Sequence, residues 1–235
     1  MDIDSLNQRQ GIGTLKENSL HAELIHYCIR PGDRLEENVE GYIVDIVRGD
    51  LLIEVQTRHF SALKNKLIRL VDSHPLRLVY PIARDKWILR RRSDASEISR
   101  RKSPRRGRIE HIFLELIRIP DLIAHPNFSI EVLMIAEEEV QTEDGKGSWR
   151  RKGRSITDRR LLGVSSQHVF ITPLDFRSLI PEALPHPFTS KDLAAALKLP
   201  SNLSQKMCYC LRQMRVIQLE GKRGKANLYI EVNDD

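Results

Sequence analysis

The sequence predicts a mixed α/β (α+β) fold, and three observations carry that prediction. Apolar residues recur at helical spacing in two segments, 14–28 and 61–71, with two short apolar runs joined by a turn between them. Strand-type alternation returns over 129–140. From Thr172 onward, helix-start signals precede a strand, turn, strand pattern. At 235 residues the chain can bury one large core or two modest ones. Its 38 Lys and Arg exceed 32 Asp and Glu, a formal charge of +6 that makes a polyanion a suitable partner. Cys28, Cys208 and Cys210 form neither a CxxC pair nor a cluster with histidines, which argues against a disulfide framework or structural zinc and fits a reducing cytoplasm. No apolar run approaches the ~20 residues of a membrane span. The polar start Met1-Asp2-Ile3-Asp4 has no signal-peptide pattern, so a soluble, cytoplasmic protein without a membrane partner is expected.

The first helix sets Leu20, Leu24, Ile25, Tyr27 and Cys28 at helical spacing and is closed by Pro31-Gly32-Asp33. At about 100° per residue, Glu17 falls near the middle of the apolar face with His21 one turn on, and Glu23 falls outside it. An acid aimed at a core needs a partner; His21 reads as a satisfied histidine at the core's edge. Next, the segment Gly41–Thr57 holds the runs Ile43-Val44-Asp45-Ile46-Val47 and Leu51-Leu52-Ile53-Glu54-Val55 around the turn residues Arg48-Gly49-Asp50. Asp45 and Glu54 stand equally far from that turn, so hairpin pairing sets them side by side. Two uncompensated carboxylates inside apolar strands are costly, and one divalent cation shared by hard oxygen ligands removes that cost. Two solvent-facing acids on an ordinary hairpin are the alternative. Ser61 is positioned to cap the second helix, with Leu63, Leu67, Ile68 and Val71 on one stripe and Lys64 in the first turn. A strand over 76–82 should run out at Pro81, and one more strand should lie near Arg34 to Val39 or overlap Glu40 to Tyr42.

Asp45 followed by Glu54-Val55-Gln56, set between two amphipathic helices, resembles the PD-(D/E)XK nuclease superfamily. The core of that superfamily runs helix, three-stranded meander, helix, strand, with an Asp ending one strand and Glu-x-Lys on the next. Over about residues 13–90 the resemblance implies a restriction-endonuclease-like core, a central mixed sheet flanked by helices. It also implies a Mg2+ (or Mn2+) site held by Glu17, Asp45 and Glu54 with the Val55 carbonyl, Glu23 standing in reserve for Glu17. Gln56 occupies the family's Lys position. Some members carry Gln or Glu there, or supply a lysine from the following helix, which makes Gln56 and Lys64 the candidates for positioning water.

From Arg84 to Arg108, eleven Lys or Arg stand against three acids. The run, including Arg101, Lys102, Arg105 and Arg106, reads as a basic loop that clamps phosphates or is simply solvated. A helix is expected over 109–118, a strand over 129–140, a turn at 143–147, a return strand from Ser148, and short strands over 155–164 and 168–171. Glu137, Glu138 and Glu139 should face basic residues across that hairpin. The last module opens on Thr172-Pro173-Leu174-Asp175, a helix start, with further helices after Thr189-Ser190 and Pro200 and a basic-tipped hairpin at the end. Three helices and a hairpin resemble the winged helix-turn-helix class over about 172–232. The resemblance implies DNA contacts from Ser204, Gln205, Lys206 and Arg212 on the second helix of the pair and from Lys222, Arg223 and Lys225 on the wing. Leu203, Met207, Cys210, Leu211 and Met214 read as core.

The domains expected are a nuclease-like core with its basic loop (1–108), a β-rich middle region (109–171) and a winged helix (172–235). The function expected is metal-dependent hydrolysis of DNA phosphodiesters, with RNA the other polyanion and a second copy or a protein partner at the winged helix. The missing Glu-x-Lys lysine supports the alternative, a non-catalytic nucleic-acid-binding regulator or complex subunit whose nuclease-like core no longer cuts.

Overall fold

The computed structural model describes residues 19–120 and 122–232. Helix α1 (Ser19–Cys28) leads into a meander of β1 (Arg34–Val39), β2 (Tyr42–Arg48) and β3 (Leu51–Val55). Helix α2 (Phe60–Val71) then carries the chain over to β4 (Leu76–Arg92), parallel to β3. Residues 14–18 of the expected first helix, Glu17 among them, lie outside the described residues. Arg48 pairs with Leu51 across a two-residue turn, and Gly49 at its first central position has φ 57°, a conformation open to a residue without Cβ.

Strand β5 (Glu97–Lys102) folds back on β4; after α3 (Phe113–Leu116), β6 (Phe128–Glu143) runs parallel to β4, and β7 (Arg154–Phe170) returns antiparallel to β6. The result is a mixed seven-stranded sheet in the order β1-β2-β3-β4-β6-β7, with β5 on the edge of β4 that β3 leaves free. Alternation along the strands splits the buried residues between two faces. Leu20 and Leu24 of α1 cover Ile46, Ile53, Val55 and Val79. On the opposite face, Leu67 and Leu70 of α2 and Phe113 and Leu116 of α3 pack on Leu52, Leu76, Leu78, Ile130 and Val132. Helix α1 is stitched to β7, because the Ser19 N–H and hydroxyl donate to Asp158 (3.2 and 3.0 Å) and Glu23 accepts the Leu161 N–H.

Several local expectations need correction. Strand β4 runs through Pro81 to Arg92. The Gln56 N–H donates to Val79 O at 2.9 Å, so odd-numbered residues of β4 here face β3; β3 ends at Val55, and the missing N–H of Pro81 falls on an edge with no strand to bond. The basic stretch is therefore not one loop but the far half of β4, β5 and a short strap, 103–107. The strap is tied to β4 by Ser103 N–H to Lys86 O (2.7 Å) and Gly107 N–H to Ala83 O (2.8 Å). Helix α2 starts at Phe60, not behind a Ser61 cap, and its Phe60 N–H is satisfied by the Glu115 carboxylate (3.1 Å). After the turn, Trp149–Arg151 form a 3₁₀ turn rather than strand, and the two short strands expected afterwards are one, β7.

Beyond β7, a 3₁₀ helix (Pro173–Leu179) stands where an α-helix was expected, followed by α4 (Ser190–Leu197), α5 (Ser201–Gln213) and a hairpin of β8 (Ile217–Arg223) and β9 (Ala226–Glu231). Both Thr172 and Thr189 lead capping boxes with Asp175 and Asp192. The buried face of α5, with Leu203, Met207, Cys208, Cys210 and Leu211, joins the same apolar cluster as α2 and α3, and Phe176 stacks on Phe170 with ring centroids 4.2 Å apart. Residues 172–232 thus share their core with the sheet, and the sheet itself crosses position 109. No helix among the described residues is long and apolar enough to cross a membrane.

Candidate functional site

At the end of the meander the ladder between β2 and β3 stops. Its last paired residues are Ile46 and Ile53, and beyond them the strands fork around Asp45 and Glu54. Asp45 Oδ2 accepts the Val55 N–H at 2.8 Å, and Glu54 Oε1 lies 3.4 Å from the Asp45 N–H, so each carboxylate takes a backbone donor that the neighbouring strand has released. Glu54 is 3 % exposed. Its carboxyl is pushed up to about 7 by burial and by the charge of Asp45, against the pull of Lys66.

Two basic side chains close the fork. Lys66 of α2 donates to Glu54 Oε1 and to the Ile43 carbonyl. From α1, His21 Nε2 donates to the Val55 carbonyl at 2.9 Å and lies 3.6 Å from Asp45 Oδ2, which fixes the tautomer with Nε2 protonated. Asp45, Glu54 and Val55 are thus brought together. The lysine on Glu54 is Lys66, two residues beyond the expected Lys64, and the Gln56 side chain donates to the His59 carbonyl (3.4 Å) rather than to a carboxylate. Glu23 is engaged with β7, and Glu17 lies outside the described residues.

Two carboxylates and a carbonyl form a hard-oxygen donor set that suits Mg2+ or Mn2+, and the raised carboxyl of Glu54 marks an electrostatic deficit that a cation would relieve. Among the described residues no three His, Cys, Asp or Glu side chains gather as a metal-ligand set. The fork therefore brings together two carboxylates and one carbonyl, with no third acidic or imidazole ligand among the described residues.

Beside the fork lies a cleft of about 800 Å³. It occupies the gap on the edge of β4 between the end of β3 and the start of β5, with the 103–107 strap as its outer wall. Arg101, Arg105 and Arg106 line it; Lys102 pairs with Asp85 at 2.7 Å, and Arg106 reaches the same carboxylate at 3.7 Å. The three acids of β6 are compensated as expected in kind, though from two sides. Glu139 meets Arg159 of β7 (3.3 Å), Glu137 meets Lys86 of β4 (2.7 Å), and Glu138 meets Arg100 of β5 (2.7 Å). In the C-terminal part, Gln205, Arg212, Lys222 and Lys225 are exposed and Lys206 is half-buried, whereas Ser204 is fully buried with its hydroxyl on Ser201 O (3.0 Å) and cannot face DNA. Arg223 is exposed as well, pairing with Asp192 (3.3 Å) and donating to the Pro187 carbonyl (3.4 Å). Gln205 and Lys225 line a common hollow between α5 and the hairpin.

A family model described as Domain of unknown function (DUF8091) matches residues 18–171, the part of the chain that contains the fork, the cleft and the seven-stranded sheet. An uncharacterized protein of Treponema pallidum (strain Nichols) is 33% identical over 222 residues, covering 93% of this chain and 86% of that protein. No solved structure matches the chain.

Proposed function

The chain belongs to the family described as Domain of unknown function (DUF8091), and from the carboxylate fork inside the matched region we propose that it is a divalent-metal-dependent nuclease hydrolysing DNA phosphodiester bonds. The fork carries the reading. A buried carboxylate is stable in a protein only with compensation, and here Asp45 and Glu54 each reach across to the other's strand where the strands part, with Lys66 on Glu54 and His21 on the Val55 carbonyl. The order α1, meander, α2, β4, with β3 and β4 parallel, supports the same reading, being the order the superfamily resemblance implies.

Held by Asp45, Glu54 and the Val55 carbonyl, Mg2+ or Mn2+ would supply Lewis-acid polarisation of a phosphoryl oxygen and a more acidic water. The protein's own groups do the rest. His21 anchors the Val55 carbonyl, keeping its oxygen in place at the fork. Lys66 takes the role that the superfamily gives to the third residue of Glu-x-Lys: its ammonium, held on Glu54, orients the attacking water and offsets negative charge developing on the phosphate. The helix pair and hairpin at the C-terminal end, with Gln205, Lys206, Lys222 and Lys225, serve DNA or partner binding.

A second reading is favoured by one observation: the ammonium of Lys66 is already on Glu54 and offsets part of its charge. On that reading the core is a nucleic-acid-binding regulator that does not cut. Cleavage of single-stranded, duplex and branched DNA in Mg2+ or Mn2+, against EDTA, separates the two. The nuclease reading expects metal-dependent cleavage that Asp45→Asn and Glu54→Gln each reduce by roughly 10²- to 10³-fold or more. Both variants cutting at the wild-type rate would overturn it, and binding without cleavage in any metal would establish the regulator.

A further inference from the structure

The cleft beside the fork has a charge pattern that the protein does not satisfy by itself. Seven Lys or Arg line it against three Glu. Glu137 and Glu139 are taken by Lys86 (2.7 and 3.3 Å), Glu139 also by Arg159, and Glu115 accepts the Phe60 N–H. Arg58 is left over. It leaves the end of β3 three residues after Val55, is half-buried, and has neither an ion pair nor a hydrogen bond among the described residues, its Nε being shielded from solvent. Burial and the neighbouring charge of Arg159 push its pKa below the ordinary arginine value, opposed by Glu137 and Glu139, which form no ion pair with it. A guanidinium stays charged regardless, so a phosphate on this half-buried, unpaired fork would replace the hydration that burial removes.

We propose that this cleft holds one unpaired strand of DNA, its phosphates gripped by Arg58 and Arg159 on the inside and by Arg105 and Arg106 on the exposed strap, so that the protein selects single-stranded segments or strand ends over the interior of a duplex. This rests on the nuclease reading and adds the substrate class to it. Arginine forks match phosphate oxygens in two-point geometry, which suits a backbone and not a point ion. The volume is that of a small-ligand site, of order 300–1,000 Å³, with room for a short length of one strand and not for two strands with a groove between them. The lining holds two rings, Tyr80, packed perpendicular to Phe60 at 4.9 Å, and His111, against seven Lys or Arg. Recognition therefore runs chiefly through phosphates, without sequence preference. Position links the cleft to the chemistry: Thr57 and Arg58 continue directly from Val55 and Gln56, and Leu20, which also lines the cleft, is the neighbour of His21.

The test is fluorescence anisotropy with the full-length protein in EDTA, using a labelled single-stranded oligothymidine and a duplex of equal length. The wild type should bind the single strand more tightly. Arg58→Gln and Arg105→Gln should each weaken that binding several-fold and lower the slope of log affinity against log salt by about 0.7 for each phosphate that is no longer neutralised. Arg58→Lys, which keeps the charge and loses the fork, should fall between. Arg105 lies on an exposed strap, so its variant decides the matter if Arg58→Gln lowers the melting temperature. Wild-type affinity and slope in the informative variants, or tighter binding of the duplex, would overturn the proposal. Arg58-dependent strand binding with no cleavage in any metal would sink the nuclease reading and leave the cleft standing; metal-dependent cleavage with normal binding by the variants would do the reverse.

Discussion

Lys66 neutralises Glu54 where the sequence pointed to Lys64, and the reason is the start of α2. With Ser61 as cap, Lys64 falls in the first turn and close to the strand end; with the helix entered at Phe60 and satisfied by Glu115, the side chain that turns onto the strands is Lys66. Lys66→Met should reduce single-turnover cleavage by roughly 10²- to 10³-fold while strand affinity changes little. It should also change the pH dependence of stability. The Glu54 carboxyl is held above its ordinary value of 4.5, so the folded protein binds that proton more tightly than the unfolded chain. The resulting stability is complete below about 4.5 and is lost as the pH rises toward about 7. Removing the lowering charge of Lys66 moves the upper limit higher, so thermal melts of Lys66→Met in EDTA should fall further than the wild type between about pH 6 and 9. Identical rates and identical melts would mean that Lys66 is a bystander. That Asp45 and Glu54 come to neighbouring positions was legible because hairpin register is arithmetic from a turn, although the ladder stops one pair short of them. The lysine was not, because a helix start supplied by a carboxylate from α3, 55 residues away, leaves no local mark.

Among the elements, the meander, α2 and the C-terminal hairpin follow from periodicity and turn chemistry, whereas β5 does not and β4 and β7 do only in part, the first read too short and the second as two pieces. Pro81 reads as a stop, and only the early end of β3 makes it harmless. In the same way, Arg100, Arg101 and Lys102 read as a solvated run, yet Arg100 lies 4.3 Å over the Trp87 ring and pairs with Glu138, so strand-forming partners 38 residues ahead decide its conformation. The strap that follows depends on Gly107. A Cβ at that position would lie 2.5 Å from the Ala83 carbonyl oxygen and 2.6 Å from Ile82 Cγ2, and the backbone atom cannot swing aside. Gly107→Ala should therefore cost about 1–3 kcal/mol, the usual range for overpacking, and should weaken single-strand binding, since the wall carrying Arg105 and Arg106 must move. Thermal melts and the anisotropy assay check both. A variant with unchanged melt and affinity would show that the strap is not held as described.

At the scale of the whole molecule, the family match ends at Ile171, one residue before the Thr172 capping box, but the packing does not end there. Phe170 and Phe113 meet Phe176, and α5 joins the cluster built by α2 and α3. The sequence suggested a separable winged helix, since amphipathic stripes do not reveal which neighbour they cover. A chain cut after residue 171 would leave Phe113, Leu116 and Phe170 uncovered, so it should precipitate or melt well below the intact protein, as checked by solubility and calorimetry. A well-folded 1–171 fragment would show that the shared cluster contributes little. The thiols give the same question a time axis. Burial pushes Cys208 and Cys210 in α5, and Cys28 at the end of α1, up to about 12, so at neutral pH almost none of any of the three is thiolate while those helices stay seated. An alkylating reagent mixed with the native protein would then reach the buried Cys208 and Cys210 only as fast as α5 lifts away and the half-buried Cys28 sooner, and mass spectrometry of the labelled peptides would time the two ends of the molecule separately, without any engineered probe.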